Sequence, residues 1–411
     1  MRVKNILAKK ILNSRKEATI SVIVETENKK KVDASAPSGK SKGELEVKDF
    51  SDKGLAYSIE FVNVLGKKII DEKMSFEKFD DLNRVERIIR EYDPSHDFNL
   101  VGGNAVYALE AALLKALAAD YNTEVWKFLS NTNKPTAPMP LGNAIGGGMH
   151  VKLKEKLDFQ ELLFIPQTGN FLDASFLNMQ AYKEAKRLLP EKDKKWKGKV
   201  TDEKALATNL DNESALKLMA EIRDSLSDKF KMKLNIGTDI AASSFWNRVK
   251  YVYHNFSSAI KSKNISQNEQ FEYINQLIKE HKLFYVEDPF FSRDFESHAK
   301  LLAKNKNVLI CGDDLICTQP ERLYEAIQKK AINSVIIKPN QVGSLLAAKE
   351  TVDLAKQHDI IPIISHRSGE TNDPLISHLA VGWNIPYIKL GITGKERMAK
   401  INELLKIERY K

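Results

Sequence analysis

The sequence predicts an α/β protein in two parts, a smaller N-terminal α+β unit followed by a long strand–helix repeat. Three observations carry this. Between Lys233 and Gly391 six short apolar runs each stop at a polar or charged residue: LNIGTD at Asp239, LFYVED at Glu287, VLICGDD at Asp313, VIIKPNQ at Lys338, IIPIISHRS at His366 and YIKLG at Lys389. Each is rich in Ile, Val or Leu, short enough for a buried parallel strand, and followed by enough chain for a crossover helix. Residues 3–61, by contrast, hold the alternating runs ATISVIVET and LAYSIEFVNVL, which read as antiparallel strands with one buried face. Between the two parts lies NTNKPTAPMPL, three prolines without periodicity, and the division falls there, giving units 1–134 and 135–411. A strand–helix repeat closes into a barrel or runs as an open parallel sheet. In both, ligands sit at the carboxyl ends of the strands, and a barrel gathers those ends into one mouth.

The elements follow in order. PSGKSKGE separates the first strands as a flexible turn, with a phosphate-binding loop as its second reading. From Ser75 to Tyr92, Phe76, Phe79, Leu82, Val85 and Ile89 recur at helical spacing, and Val106, Leu109, Leu113 and Leu117 do so again. Beyond the proline segment come LGNAIGGGMH, LDFQELLFIP and a helix carrying Leu216, Met219, Ile222 and Leu226. The basic run KDKKWKGK between them reads as a solvated loop.

Composition narrows the function classes. With 411 residues, 42% of them apolar, the chain can bury a large core. Cys311 and Cys317 lack CxxC spacing and read as reduced thiols, which fits a cytoplasmic protein. The basic start MRVKNILAKKILNSRK has no continuous apolar core and reads as mature structure rather than a targeting peptide. The apolar-leaning uncharged stretch from Pro374 to Ile388 is too short to span a bilayer and contains His378 and Pro386. A formal charge of +9 suits solubility or an anionic substrate; because the lysines are spread along the chain, nucleic-acid binding is not expected.

The strand ends carry the chemistry. Asp239, Glu287 and Asp313 repel one another at a common mouth unless a cation neutralises them, and three hard oxygen ligands favour magnesium (Mg2+) over zinc. Lys338 follows on a later strand, and a dication beside it lowers an ammonium pKa toward the range of a general base. That pairing reads as proton abstraction beside a carboxylate.

The segments VEDP, GDDL, IKPNQVGSL and SHRSGETND follow one another as in enolase, and the likeness extends from NSRKEAT and PSGKSKGE to GKERMAKINELLKIE. The chain thus resembles the enolase family, whose superfamily pattern is a Lys or His base with one or two magnesium ions. The resemblance implies a β/α (TIM-like) barrel capped by the N-terminal unit, and magnesium-dependent conversion of 2-phosphoglycerate to phosphoenolpyruvate in glycolysis. It implies Lys338 as base, Glu203 as acid with Glu161 and His366 assisting, and His150 and Gln160 against substrate. Arg367 and Ser368 would bind phosphate, Lys389 the carboxylate. Asp239, Glu287 and Asp313 would hold one magnesium, Ser41 a second. Arg15 matches a residue near the family's dimer interface, so a homodimer is expected.

The departures from the pattern lie mainly in loops. GASTG becomes GKSKG with Lys40 and Lys42, DEGG becomes DEKA with Lys204 and Ala205, the segment after His150 reads VKLK, and QIKTG becomes YIKLG with Leu390. Lys40 and Lys42 put two charges beside Ser41, where they compete with the second ion or point into water. Two other readings accompany an enolase: a superfamily paralogue acting on another hydroxy acid, and a non-catalytic binding protein on the same fold.

Overall fold

The computed structural model describes residues 1–40, 42–130 and 134–409. At the N-terminus β1 (Val3–Leu12), β2 (Ala18–Thr26) and β3 (Lys31–Ser35) form an antiparallel sheet in that order, with Ile20, Val22 and Val24 fully buried on one face. Helices α1 (Leu55–Asp71), α2 (Asn83–Tyr92), α3 (Gly103–Asp120) and α4 (Val125–Leu129) follow. LAYSIEFVNVL, expected as a strand, is the start of α1. Its buried residues Ser58, Val62, Leu65 and Ile69 recur at three and four positions, the helical period, and the shorter alternation at its start was a coincidence of composition. Ser75 makes an isolated bridge with Arg2 instead of opening a helix, and a 3-10 turn over Phe79–Leu82 leads into α2.

Helix α3 is buried almost all round because it lies between the small sheet and the barrel. Its first residue, Gly103, is 3.2 Å from Gly343 measured from where a Cβ would stand, and that Cβ would also strike Val47. A side chain there would clash first with Val47 and then press on Gly343 of the barrel.

The barrel begins with β4 (Met139–Gly146) and β5 (Glu161–Gln167), then α5 (Phe171–Lys192), the two-residue β6 (Leu206–Ala207) and α6 (Asn212–Phe230). Next come β7 (Lys233–Asp239), a hairpin of β8 (Tyr251–Tyr253) and β9 (Lys263–Ile265), α7 (Gln267–His281), β10 (Tyr285–Glu287), α8 (Phe295–Lys304), β11 (Leu309–Gly312) and α9 (Pro320–Gln328). The chain closes with β12 (Ser334–Ile337), α10 (Pro339–Val342), α11 (Leu345–Gln357), β13 (Ile361–Ser365), α12 (Leu375–Gly382), β14 (Tyr387–Gly391) and α13 (Lys395–Glu408). Strands β4, β5, β7, β10, β11, β12, β13 and β14 pair in sequence, and β14 pairs back onto β4, so the sheet is a closed barrel and not an open one. Leu141, Leu163, Tyr285, Cys311, Ile336 and Ile363 fill its interior. Cys311 and Cys317 are both free and buried.

One strand departs from the all-parallel expectation. β5 runs antiparallel to both β4 and β7, with Glu161 opposite Gly146 and Asp239. Its first residue, not its last, therefore reaches the mouth. No length or composition signal in LDFQELLFIP encodes that direction, which is set by the loop before it.

A buried histidine on α8 gives the fold an acid limit. His298 is fully buried, its Nδ1 2.7 Å from the Asp294 carbonyl and its ring edge-on to Phe290. Burial lowers its pKa to about 4. The unfolded chain, with an ordinary histidine near 6.5, takes up a proton that the folded state refuses. This contribution is therefore complete above about pH 6.5 and is lost as pH falls toward 4, to the extent of about 3 kcal/mol. Denaturant titrations at pH 7 and pH 4 should show the parent losing that much more than His298→Gln; equal losses would mean that His298 charges without cost to the fold.

Candidate active site

The strand ends that carry charge all open on one mouth. Asp239 and Glu287 are the last residues of β7 and β10 and lie opposite each other in register. Asp313 follows β11, Lys338 follows β12, His366, Arg367 and Ser368 follow β13, and Lys389 lies in the middle of β14. The apolar part of each run packs into the barrel and the next residue emerges where packing ends. Buried polar groups at such a place must pair.

Lys389 is their hub. Its Nζ is 2.7 Å from Glu287 Oε2, 2.9 Å from Asp239 Oδ2 and 3.3 Å from Glu161 Oε2. Burial works to discharge this ammonium, but Asp239, Glu161 and Glu287 outweigh it and hold it charged. Glu287 accepts a 2.6 Å bond from the Tyr285 hydroxyl, and burial, reinforced by the charge of Asp239, pushes its carboxyl up to about 8. Lys338 is paired directly with Asp313, whose other oxygen accepts from Gln341 Nε2 at 3.2 Å. For Lys338, burial again pulls the pKa down, yet Asp313 prevails and the pKa stands above its ordinary value. This is opposite to the lowering expected beside a dication, because here the near charge is a carboxylate. Asp288 orients the segment from behind: its carboxylate accepts from the backbone N–H of Asp313 at 3.0 Å and of Asp314 at 2.7 Å, and its own φ is 40°.

At this mouth, ligand atoms of Asp288, Asp313 and Asp314, and likewise those of His150, Glu161 and Glu203, lie within 4.8 Å of one another in each set, whereas Asp239, Glu287 and Asp313 are paired with Lys389 and Lys338 and are candidate ligands through one unpaired oxygen. Glu287 Oε1 is buried without a hydrogen-bond partner among the described residues, beside Asp239 and within the same mouth as Asp313. An all-oxygen donor set with one unsatisfied lone-pair site is what a hard cation takes.

The other side of the mouth is acidic chemistry of a different kind. Glu203, in the loop between α5 and α6, accepts from Asn143 Nδ2 at 2.9 Å and has His366 Nε2 at 3.2 Å and His150 Nδ1 at 3.6 Å. Gln160 Nε2 donates to Asp239 at 3.2 Å. Burial opposes ionisation of Glu203, but His366 overrides it and keeps this carboxyl well below the usual range; Glu161 is driven well above it by burial and by the charge of Glu203. Neither ring nitrogen of His150 has a hydrogen-bond partner among the described residues.

At the rim, Arg367 pairs with Glu46 at 2.7 Å and donates to Asn340 Oδ1 at 3.1 Å. Ser368 Oγ accepts from Arg15 Nη1 at 3.0 Å and from the Lys40 N–H at 2.8 Å, so Arg15, which the sequence associated with a dimer interface, also touches this corner. Lys40 Nζ is 3.3 Å from Asp202, the neighbour of Glu203, whereas Lys42 pairs outside the mouth with Asp49 at 2.6 Å. Ser41 lies outside the described residues. Lys204 adopts a left-handed φ of 66°, and Ala205 and Leu390 are buried.

His150, Gln160, Glu161, Glu203, Asp239, Lys338, His366, Arg367, Ser368 and Lys389 thus line one cavity, with Glu287 and Asp313 behind it. Reasoning from sequence overlooked Asn143, Gln341, Glu46, Asp288 and Arg397. Gln341 and Arg397 stand inside the quoted segments IKPNQVGSL and GKERMAKINELLKIE, and that position was the only signal for them.

Comparison with known proteins gives one answer over the whole length. Residues 3–129 match a family model described as "Enolase, N-terminal domain" and residues 134–410 one described as "Enolase, C-terminal TIM barrel domain". The chain is 39% identical over 410 residues to a protein named Enolase from Methanosphaera stadtmanae, covering 99% of this chain and 96% of that one. It is 36% identical to the Enolase of Methanothermobacter thermautotrophicus over 99% of this chain and 96% of that one, and 34% identical to that of Thermoplasma acidophilum over 99% and 98%.

Proposed function

This chain belongs to the enolase family and is a lyase that dehydrates 2-phosphoglycerate to phosphoenolpyruvate, and on that premise we propose how its residues divide the work. Lys338 is the base that removes the proton next to the substrate carboxylate. Lys389 faces that carboxylate and opposes the second negative charge that develops on it, at no cost of reorganisation because it is already held by its buried partners. Asp239, Glu287 and Asp313 hold the family's divalent metal, which we assign as magnesium. When bound it supplies further charge neutralisation at the carboxylate. With Asp313 held by the ion, Lys338 would lose the partner that keeps its pKa high, and burial, which runs the other way, would favour its neutral form.

Hydroxide leaves only if protonated. Glu161 and Glu203 have oxygens within 4.8 Å of each other, with Glu161 the better proton holder and Glu203 the proton-poor partner, so acid duty belongs to the pair and the apparent pKa values are the pair's. His150 and Gln160 line the substrate cavity, and Arg367 and Ser368 receive the phosphate, Arg367 exchanging Glu46 for phosphate oxygens. Ser41 takes the second magnesium. We further propose a homodimer with Arg15 near the interface, a cytoplasmic location, and a division of the chain at 134/135. No described helix is long and apolar enough to cross a membrane.

The observation that carries the reading is the buried convergence of Lys338, Lys389 and three carboxylates at one end of the barrel. Incubating the purified protein with 2-phosphoglycerate and magnesium should yield phosphoenolpyruvate. Turnover of a different hydroxy acid instead would indicate a paralogue, and binding without turnover a non-catalytic protein.

The loop lysines now separate. Lys40 reaches across the mouth to Asp202, so Lys40→Ala should raise KM for 2-phosphoglycerate by about threefold, the scale of a partly exposed ion pair worth up to about 1 kcal/mol. Lys42→Thr should leave KM and the magnesium titration unchanged. A parental KM in both variants would show that neither lysine acts on the site, and a KM raised alike in both would show that Lys42 acts as well.

A further inference from the structure

We infer that Arg397 is a positioning residue for the dehydration: it fixes the tautomer of His366 and so makes His366 a permanent proton donor toward Glu203. Arg397 lies in the first turn of α13 and is completely buried. Its guanidinium holds the whole turn after β13. Nη2 donates to the carbonyl oxygens of Arg367 at 3.1 Å and Ser368 at 2.9 Å, Nη1 reaches Ser14 Oγ at 3.5 Å, and Nε donates to His366 Nδ1 at 3.3 Å.

The last contact has one chemical solution. A guanidinium carries only N–H donors and stays protonated, so the atom facing Nε must offer a lone pair. Nδ1 of His366 is therefore unprotonated, and the proton of the neutral ring is on Nε2, the nitrogen 3.2 Å from Glu203 Oε2. A ring in this state turns its N–H toward Glu203, at 3.2 Å but not aligned as a hydrogen bond among the described residues, and cannot receive a hydrogen bond from it. To act as a base it would have to use Nδ1, against the Arg397 charge. His366 thus favours ionised Glu203 without entering the proton inventory, and the mobile proton is confined to Glu161 and Glu203. The same guanidinium holds the carbonyls of the two successive peptides that flank Ser368, so the phosphate corner and the acid pair share one support.

The inference deepens the proposed reaction, and its kinetic arm rests on that reading; its spectroscopic arm does not. In protein labelled with 15N-histidine, a long-range proton–nitrogen correlation spectrum at neutral pH, with the His366 signals identified by their loss in His366→Gln, should show Nδ1 as the bare nitrogen and Nε2 as the protonated one. Arg397→Met keeps bulk and removes the donor; the ring should then lose the single tautomer, and kcat should fall about ten- to a hundredfold, the usual cost of losing a residue that orients a site group, with a smaller change in KM. Arg397→Lys restores a donor and should recover the parent spectrum and most of kcat. A protonated Nδ1 in the parent overturns the inference, as does Arg397→Met with parental spectrum and kcat. If Arg397→Met does not fold, the parent spectrum and Arg397→Lys still decide. If the parent fails to turn over 2-phosphoglycerate, the proposed reaction fails while the tautomer is still read directly.

Discussion

Lys338→Ala is expected to lower turnover by roughly 10²–10⁴-fold, the span that a positioned general base contributes, while leaving the barrel folded. The fold should survive because the Asp313 carboxylate that loses its partner is still held by Gln341, and the backbone around it by Asp288. An uncharged Asp313 also becomes accessible: Lys338 is the strongest influence keeping that carboxyl ionised against burial, and without it a proton can settle there. The decisive measurement is exchange of the substrate's α-proton with deuterium from solvent, which needs the base but not departure of hydroxide. Exchange at near the parent rate in Lys338→Ala would remove Lys338 from the role, whatever happened to overall turnover.

Asp313→Asn should weaken magnesium binding on the order of a hundredfold or more. A dication and a carboxylate about 4 Å apart attract by roughly 8 kcal/mol at an effective dielectric near 20, and even a fraction of that after desolvation spans two decades of affinity. The substitution is isosteric, and Asn can keep the Gln341 contact through its side-chain oxygen. Calorimetry with magnesium alone reads the effect without substrate or turnover. Unchanged affinity would exclude Asp313 as a ligand and leave Asp239 and Glu287 as the core of the site.

Much of this site was legible because the barrel writes it into the sequence in a simple way. A buried parallel strand is an apolar run, and a charge at its end has nowhere to go but the mouth; Asp239, Glu287, Asp313, Lys338 and His366 follow that rule, whereas Lys389 lies inside β14 and is buried among carboxylates. Glu203 does not, since it lies in a loop between two helices, and only likeness to a family pointed to it. Arg397 and Lys400 could not be told from surface cations by residue type, because only tertiary packing buries them in α13, Lys400 against Glu370 at 2.8 Å. The misread of 55–65 as strand has a local root, a short window in which alternation and helical spacing coincide. The state of Lys338 could not be read at all, because it depends on whether its neighbour is a carboxylate or a cation.

The reversed strand β5 divides the mouth into two parts that can change separately over evolutionary time. In the proposed mechanism, proton abstraction and metal binding rest on the carboxyl ends of parallel strands from 233 onward, which are paired into the closed barrel. The leaving-group side, with His150, Glu161 and Glu203, is borne on the β4–β5 connection, the start of β5 and the α5–α6 loop. A descendant that kept 233–391 and exchanged 147–161 and 193–211 would retain the means to make a carboxylate dianion and receive a different group to expel. The unusual residues of this chain, VKLK after His150 and Lys204–Ala205 after Glu203, fall within those two exchangeable segments.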